Sequence, residues 1–162
     1  MTALPLSSSD IIIRKACQRD GEGIYRVIRE AFADYKSGSN PTFKETIFDI
    51  YQDLEENIVL VIEKDKQIIG SLRLEFKGED DVYLKRFSIL PEFQHQGLGT
   101  LLYRRAEEEV IANNGKYIYL HSSLDDQKLV KFYHKLGFRC LKKDNKYGYQ
   151  RGLWVKRLDG VD

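Results

Sequence analysis

Leu90-Pro91-Glu92-Phe93-Gln94-His95-Gln96-Gly97-Leu98-Gly99-Thr100 is the stretch whose reading decides the fold. The run before it, Val82 to Ile89, reads as a strand, and Pro91 stops it. After it, Leu98, Leu101, Leu102, Ala106 and Val110 fall on one side of a helix predicted over 97–112. The stretch is therefore a strand-to-helix turn. Glycine at 97 and 99 lets the backbone take positive φ and come close to a ligand. The N–H groups of residues 94 to 100 are then expected to point into one concavity at the helix N-terminus. That end carries roughly half a positive charge, so it suits a pyrophosphate without needing a lysine.

Alone, a Gly-x-Gly at a helix start also fits an ordinary tight turn. Two nucleotide motifs are excluded. A Walker loop needs Gly-Lys-Ser/Thr, and here Thr100-Leu101 follow the second glycine. A dinucleotide fingerprint needs a third glycine where Leu102 stands, and an acid after the next strand where His121-Ser122 stand.

Upstream, Ile11-Ile12-Ile13 reads as a first strand, and Asp20 is expected to cap the helix after it. Ile24, Val27, Ile28, Ala31, Phe32 and Tyr35 lie on one helical face until Ser37-Gly38-Ser39-Asn40-Pro41 breaks it. Thr42 and Glu45 have capping-box spacing, ahead of a stripe of Phe43, Ile47, Ile50, Tyr51 and Leu54. The runs 58–63 and 68–77, joined by Lys64-Asp65-Lys66-Gln67, suggest a hairpin, and residues 78–81 turn the chain again. Downstream, Asn113-Asn114-Gly115 signals a left-handed helix cap. Residues 117–121 read as a strand, 127–136 as a helix with Gly137 past its end, and 138–141 and 150–156 as closing strands. The order is β-α-α-β-β-β-α-β-α-β-β. It predicts an α/β (α+β) fold, a mixed and mostly antiparallel sheet of about seven strands with helices on both faces.

Gln94-His95-Gln96-Gly97-Leu98-Gly99 resembles the Gln/Arg-x-x-Gly-x-Gly/Ala signature of the GCN5-related N-acetyltransferase (GNAT) superfamily. Phe132-Tyr133-His134-Lys135-Leu136-Gly137-Phe138 is similar to that family's downstream aromatic-Tyr-x-Lys-x-Gly-Phe signature. Both fall where the family has them, strand-to-helix and helix-to-strand, with one strand between.

The resemblance implies acetyl-CoA as cosubstrate, with pantetheine lying as an added strand between two splayed strands. Backbone groups of Phe87 and Ile89 would pair with it, and Gln94, His95, Gln96, Gly97, Leu98, Gly99 and Thr100 would hold the pyrophosphate. It implies direct transfer to an amine, with Tyr133 as the acid that protonates the departing thiolate. Packing alone would also explain Tyr133, since Leu129, Phe132, Tyr133 and Leu136 form a helical stripe. Two positions depart from the family. Where it often has an asparagine contacting pantetheine, this chain has Asp126, which cannot donate a hydrogen bond when ionised. Where some relatives have a glutamate base, it has Tyr83, so the base stays open among Glu75, Asp80, Asp81, His121 and a water chain. Lys128, Lys131 and Lys135 suit either a 3′-phosphate or a solvated face. Asp34, Tyr35, Tyr51, Tyr147 and Tyr149 fall in elements that form the acceptor side of such folds.

Composition narrows the alternatives. The chain has 162 residues, 42% hydrophobic and 31% charged, with net charge +1. That predicts a globular domain over 11–158 after a flexible lead-in at 1–10. The near-neutral charge calls for no nucleic acid, and no apolar run suits a membrane span or a secretory signal. Cys17 and Cys140 lack metal-ligand spacing and read as reduced thiols of a cytoplasmic protein, and the three histidines make no metal site. The expected acceptor is the amine of a small molecule or peptide. The alternative is a catalytically silent acyl-CoA-binding module that acts as sensor or docking partner. A homodimer is left open.

Overall fold

The computed structural model describes residues 10–33 and 44–158. Asp34, Tyr35, Thr42 and Phe43 lie outside the described residues, as does the lead-in except Asp10. Among the described residues, seven strands and four α-helices follow in the predicted order. They are β1 (Ile11–Lys15), α1 (Gly21–Ala31), α2 (Ile47–Glu56), β2 (Ile58–Lys64), β3 (Gln67–Phe76) and β4 (Asp81–Ile89). Then come α3 (Leu98–Ala112), β5 (Tyr117–Ser123), α4 (Gln127–Leu136), β6 (Arg139–Asp144) and β7 (Arg151–Arg157). The sheet order is β1-β2-β3-β4-β5-β7-β6. Every neighbouring pair is antiparallel except β4 and β5, which α3 joins as a parallel crossover.

Local chemistry explains most element ends. Asp65 and Lys66 both take positive φ, 49° and 66°, which makes the tight β2–β3 turn that matches strand twist. Lys64 and Gln67, expected in that loop, belong to the strands instead. Asn114 takes the left-handed position after α3 at φ 66°. Gly115 is required for space, since a Cβ there would stand 2.5 Å from Val110 Cγ1 and 3.0 Å from Val82 Cγ2. Gly137 ends α4 in the left-handed region at φ 101°.

Three expectations are corrected. Asp20 does not cap α1 with its side chain. Its carboxylate accepts from the Cys17 N–H at 2.8 Å and from both terminal nitrogens of Arg14 at 2.8 and 3.0 Å. The capping box of α2 is Thr46 with Asp49, four residues after the one expected at Thr42 and Glu45. On α3, Leu101 is 52% exposed, and Tyr103 is buried in its stead. The buried face of α3 is centred where Tyr103 meets Phe138 edge-on, with ring centroids 5.6 Å apart.

Arg73 fixes α2 to the sheet. It is wholly buried on β3, and its two terminal nitrogens donate to both carboxylate oxygens of Glu45 at 2.6 and 2.7 Å. It also donates to Asp53 on α2 at 3.0 Å. Lys85, opposite Arg73 on β4, reaches Asp53 as well, at 3.3 Å. This face of the sheet is therefore the α2 face. On the other face, Val82 meets Gly115 after α3, and Phe87 lies against Gly99 of α3 and Phe132 of α4. Among the described residues no helix is long and apolar enough to cross a membrane.

Candidate active site

The sheet opens between β4 and β5. They pair only at Asp81–Tyr117, Val82–Ile118 and Tyr83–Tyr119. Beyond Tyr83, β4 stays with β3 as far as Ile89, while β5 stays with β7 as far as Ser123. The edge of β4 from Leu84 onward thus faces a gap, and unpaired strand edges accept an added strand. A bulge helps to open it. Ser88 pairs with Ser71 and Lys85 with Arg73, so Arg86 and Phe87 oppose a single residue of β3. Arg86 takes φ 55°, and its Nε donates to Glu45 at 3.1 Å. The Leu90 N–H donates to Ile69 of β3 at 2.9 Å. By alternation the Ile89 backbone faces the gap, and its carbonyl accepts from the Gln94 side chain at 2.9 Å.

The turn after β4 ends at α3. Gly97 takes φ 82°, as its motif position implies, and a Cβ there would meet nothing within 4 Å. The second residue with positive φ is His95, at 64°, and not Gly99. Gly99 lies inside α3, and a Cβ there would make only ordinary contacts with Phe132 and Phe87 ring carbons, at 3.5 and 3.8 Å, so neither backbone conformation nor space demands glycine at this position. Leu98 is buried beneath the turn, Thr100 is half-buried, and Gln94, His95 and Gln96 are exposed. Gln96 donates its side chain to the Glu92 carbonyl at 3.3 Å. The first α3 N–H taken by the chain is that of Leu101, bonded to the Gly97 carbonyl at 3.2 Å. Those before it have no helical carbonyl to reach, and no acidic side chain or side-chain cap sits in the first turn. The end of α3 is thus open to an anion.

Helix α4 presents Tyr133 from the α3 side of the sheet. The ring is buried and packs edge-on against Phe132 and Phe138, with centroids 5.2 and 5.8 Å away. Phe132 carries this aromatic contact on to Phe87 at the bulge, 5.9 Å away. Asp126 is the N-cap of α4, and one carboxylate oxygen accepts from the N–H groups of Lys128 and Leu129 at 3.0 and 3.3 Å. The carboxylate that interrupts the family's asparagine pattern thus starts the helix. A cavity of about 600 Å³ lies beside it, between Ser123 and Lys128. Lys128, Lys131 and Lys135 are all exposed.

On the α2 face, Tyr83 Oη and His121 Nδ1 are 2.6 Å apart, joining β4 to β5 where the two strands part. Burial, then the Arg151 charge, pushes the imidazole below its ordinary value. Burial pushes the Tyr83 phenol up, against the pull of Arg151 and Arg86. The other base candidates are differently placed. Glu75 pairs with Lys77 at 3.2 Å and Lys85 at 3.6 Å. Asp80 and Asp81 stand at the start of β4, at the closed end of the gap, where the Asp80 carbonyl ties down Lys116 and Tyr117. Tyr147 lies under the Arg151 guanidinium, 4.8 Å from its ring centroid, and Tyr149 is half-buried nearby. Tyr51 packs over Gly21 instead. His134 is exposed on α4 and edge-on to Trp154, and both cysteines are free. A cavity of about 290 Å³ opens between α2 and β4, with Lys44, Asp49, Asp53, Lys85 and Arg86 in its wall. Sequence reasoning missed Arg86 and Arg151, because neither carries a local signal.

Comparison with known proteins bears out the family and the fold. Residues 24–138 match the Acetyltransferase (GNAT) family, and the chain belongs to that family of N-acyltransferases. It is 24% identical over 151 residues to the S-alkylcysteine N-acetyltransferase of Bacillus subtilis (strain 168), covering 86% of this chain and 85% of that protein. Its fold is similar to that of the PaiA N-acetyltransferase of Thermoplasma acidophilum, solved in complex with coenzyme A. The TM-score is 0.80, with 22% identity over 91% of this chain and 99% of the other. The ribosomal-protein-S18-alanine N-acetyltransferase of Escherichia coli aligns with a TM-score of 0.79 at 13% identity, over 94% of this chain and 96% of the other.

Proposed function

We propose that this protein transfers an acetyl group from acetyl-CoA to the primary amine of a small molecule or peptide, with Tyr133 as the acid. The observation that carries the reading is the gap between β4 and β5, which ends at the open N-terminus of α3. The residues fit the cosubstrate. The bare Gly97 leaves room against the turn, no carboxylate competes in the first turn of α3, and the β4 edge is unpaired beyond Tyr83. Residues 94–100 would hold the pyrophosphate, and the backbone of Phe87 and Ile89 would hold the pantetheine. The Ile89 carbonyl is already shared with Gln94, which leaves its N–H as the stronger contact.

Bound acetyl-CoA supplies an activated thioester carbonyl. The chain supplies what the transfer needs around it. Backbone N–H groups of β4 at the gap can stabilise an oxyanion. The Tyr133 hydroxyl, on a ring locked between Phe132 and Phe138, can give its proton to the leaving sulfur. The Bacillus subtilis relative acts on an S-alkylcysteine, so an amino-acid amine is the first acceptor class to try. The test is thiol release from acetyl-CoA with S-methylcysteine, spermidine and an alanine-initiated tripeptide. Turnover of any of them supports transfer. Tight CoA binding with no amine consumed would favour the silent acyl-CoA-binding module.

A further inference from the structure

The reaction also needs a proton acceptor for the amine, and no glutamate stands at the start of β4. We infer that Tyr83 and His121 form a proton relay, in which the Tyr83 phenol receives the amine proton and passes its own to His121. This rests on the function proposed above and assigns its missing base.

Three observations converge on the pair. First, its geometry suits transfer, since the 2.6 Å Oη to Nδ1 distance is that of a short hydrogen bond. Second, its location suits the amine. Tyr83 is the last β4 residue paired with β5, and His121 lies two residues past the last paired residue of β5. The bond therefore spans the apex of the gap. Tyr83 precedes Lys85 by two residues, so by strand alternation both lie on the α2 face, opposite to α3 and α4. Tyr133 comes from the α4 side. Acid and base then act from opposite faces of the gap, and the two proton transfers do not compete for one place.

Third, the surroundings keep the imidazole ready to accept. Burial first, then Arg151 on β7, Lys142 on β6 and Lys146 just past it, disfavour a second proton on the ring, and Asp144 pulls the other way. Around Tyr83, Arg86 of the bulge and Glu75 of β3 act with opposite sign. An imidazole with an unprotonated Nδ1 accepts the phenol hydrogen and leaves the Tyr83 oxygen lone pairs turned to the substrate.

The proton count closes. As the amine nitrogen bonds to the acetyl carbon, its N–H proton moves to Tyr83 Oη while the phenol proton moves to His121 Nδ1. The C–S bond breaks, and the thiolate takes a proton from Tyr133. Tyr133 is reprotonated from water, and His121 returns its extra proton to water. Tyr83 is the residue that meets the substrate, and His121 positions and drains it.

The experiment compares wild type, Tyr83→Phe, His121→Gln and the double variant, with acetyl-CoA and the same three amines. Each single change is expected to lower kcat/KM about 100-fold, at the low end of general-base effects, and the double change no further. In acid, log kcat/KM of wild type falls with slope two, one proton for the amine and one for His121. In His121→Gln it falls with slope one. A merely structural bond would not change that slope. CoA affinity by calorimetry should stay within about threefold in all variants, because the pair lies away from the phosphate turn. A second readout needs no turnover, since nitrogen NMR of wild type should find the His121 proton on Nε2. Variants with wild-type kcat/KM and slope two would overturn the relay while leaving the acetyltransferase reading intact, and so would a proton on Nδ1. Absence of wild-type turnover on all three amines would overturn both.

Discussion

Replacing Gly97 by aspartate tests the phosphate turn at its most sensitive point. Gly97 stands at φ 82°, ψ 1°, a left-handed conformation that side-chain-bearing residues adopt reluctantly. The cost to folding is about 1 kcal/mol, because the new Cβ meets no atom within 4 Å and aspartate tolerates this region. For a chain of this size that lowers Tm by roughly 2–4 °C, which leaves the protein folded. The cost to CoA binding is larger. The carboxylate sits over the N–H groups that would meet the pyrophosphate. It removes up to ~2 kcal/mol of attraction to the helix end. It also displaces one or more charge-assisted hydrogen bonds worth roughly 1.5–3 kcal/mol each. A loss of roughly 3–5 kcal/mol weakens CoA binding about 10²- to 10³-fold or more. Gly97→Asn has nearly the same shape without the charge, so its affinity should fall between the two, and the gap between Asn and Asp should narrow as salt rises. Titration calorimetry with CoA, beside thermal unfolding of each variant, makes the comparison. A folded Gly97→Asp protein that binds CoA within about threefold of wild type would refute the assignment of this turn to the pyrophosphate.

Other expectations bear on chemistry and stability. Tyr133→Phe keeps the buried ring and should leave Tm and CoA affinity nearly unchanged while kcat falls about tenfold or more. Wild-type kcat under conditions where chemistry limits the rate would reduce Tyr133 to a packing residue. Arg73→Met leaves the carboxylates of Glu45 and Asp53 buried without their shared partner, and should cost roughly 3–5 kcal/mol in urea unfolding. Asp20, hydrogen-bonded by Arg14, has its carboxyl lowered from 3.8 to about 2. A depressed carboxyl contributes stability above its unfolded value and loses it as pH falls through the folded one. Wild type should therefore lose stability relative to Asp20→Asn between about pH 4 and pH 2, and equal slopes across that window would disprove the contribution.

The chain order of strands and helices, the turn at 90–100 and the two signatures were legible without coordinates, because they rest on local physics. Apolar periodicity, the proline after β4 and the glycines at 97 and 137 act within a few residues of themselves. The candidate acid on α4 was legible by resemblance. Errors began where a side chain had a choice of partners. Asp20 could cap α1, yet the Arg14 guanidinium offered it a bidentate bond, and the capping box fell at Thr46 and Asp49. Gly99 could take positive φ, yet the left-handed turn fell to His95 and Gly97, and Gly99 joined α3.

Tertiary structure alone decided the candidate base and the shape of the gap. Tyr83 and His121 are 38 positions apart, and neither has a sequence neighbour that announces the other. They meet because β4 and β5 run parallel in a register that lasts three pairs and then fails. The bulge that puts Arg86 at φ 55° is likewise set by pairing with β3 and by Glu45, 41 positions away. Short-range patterning determines which elements form. Where strands part, and which side chains face each other across the opening, depends on register between distant segments, and that is determined only when the whole sheet packs at once.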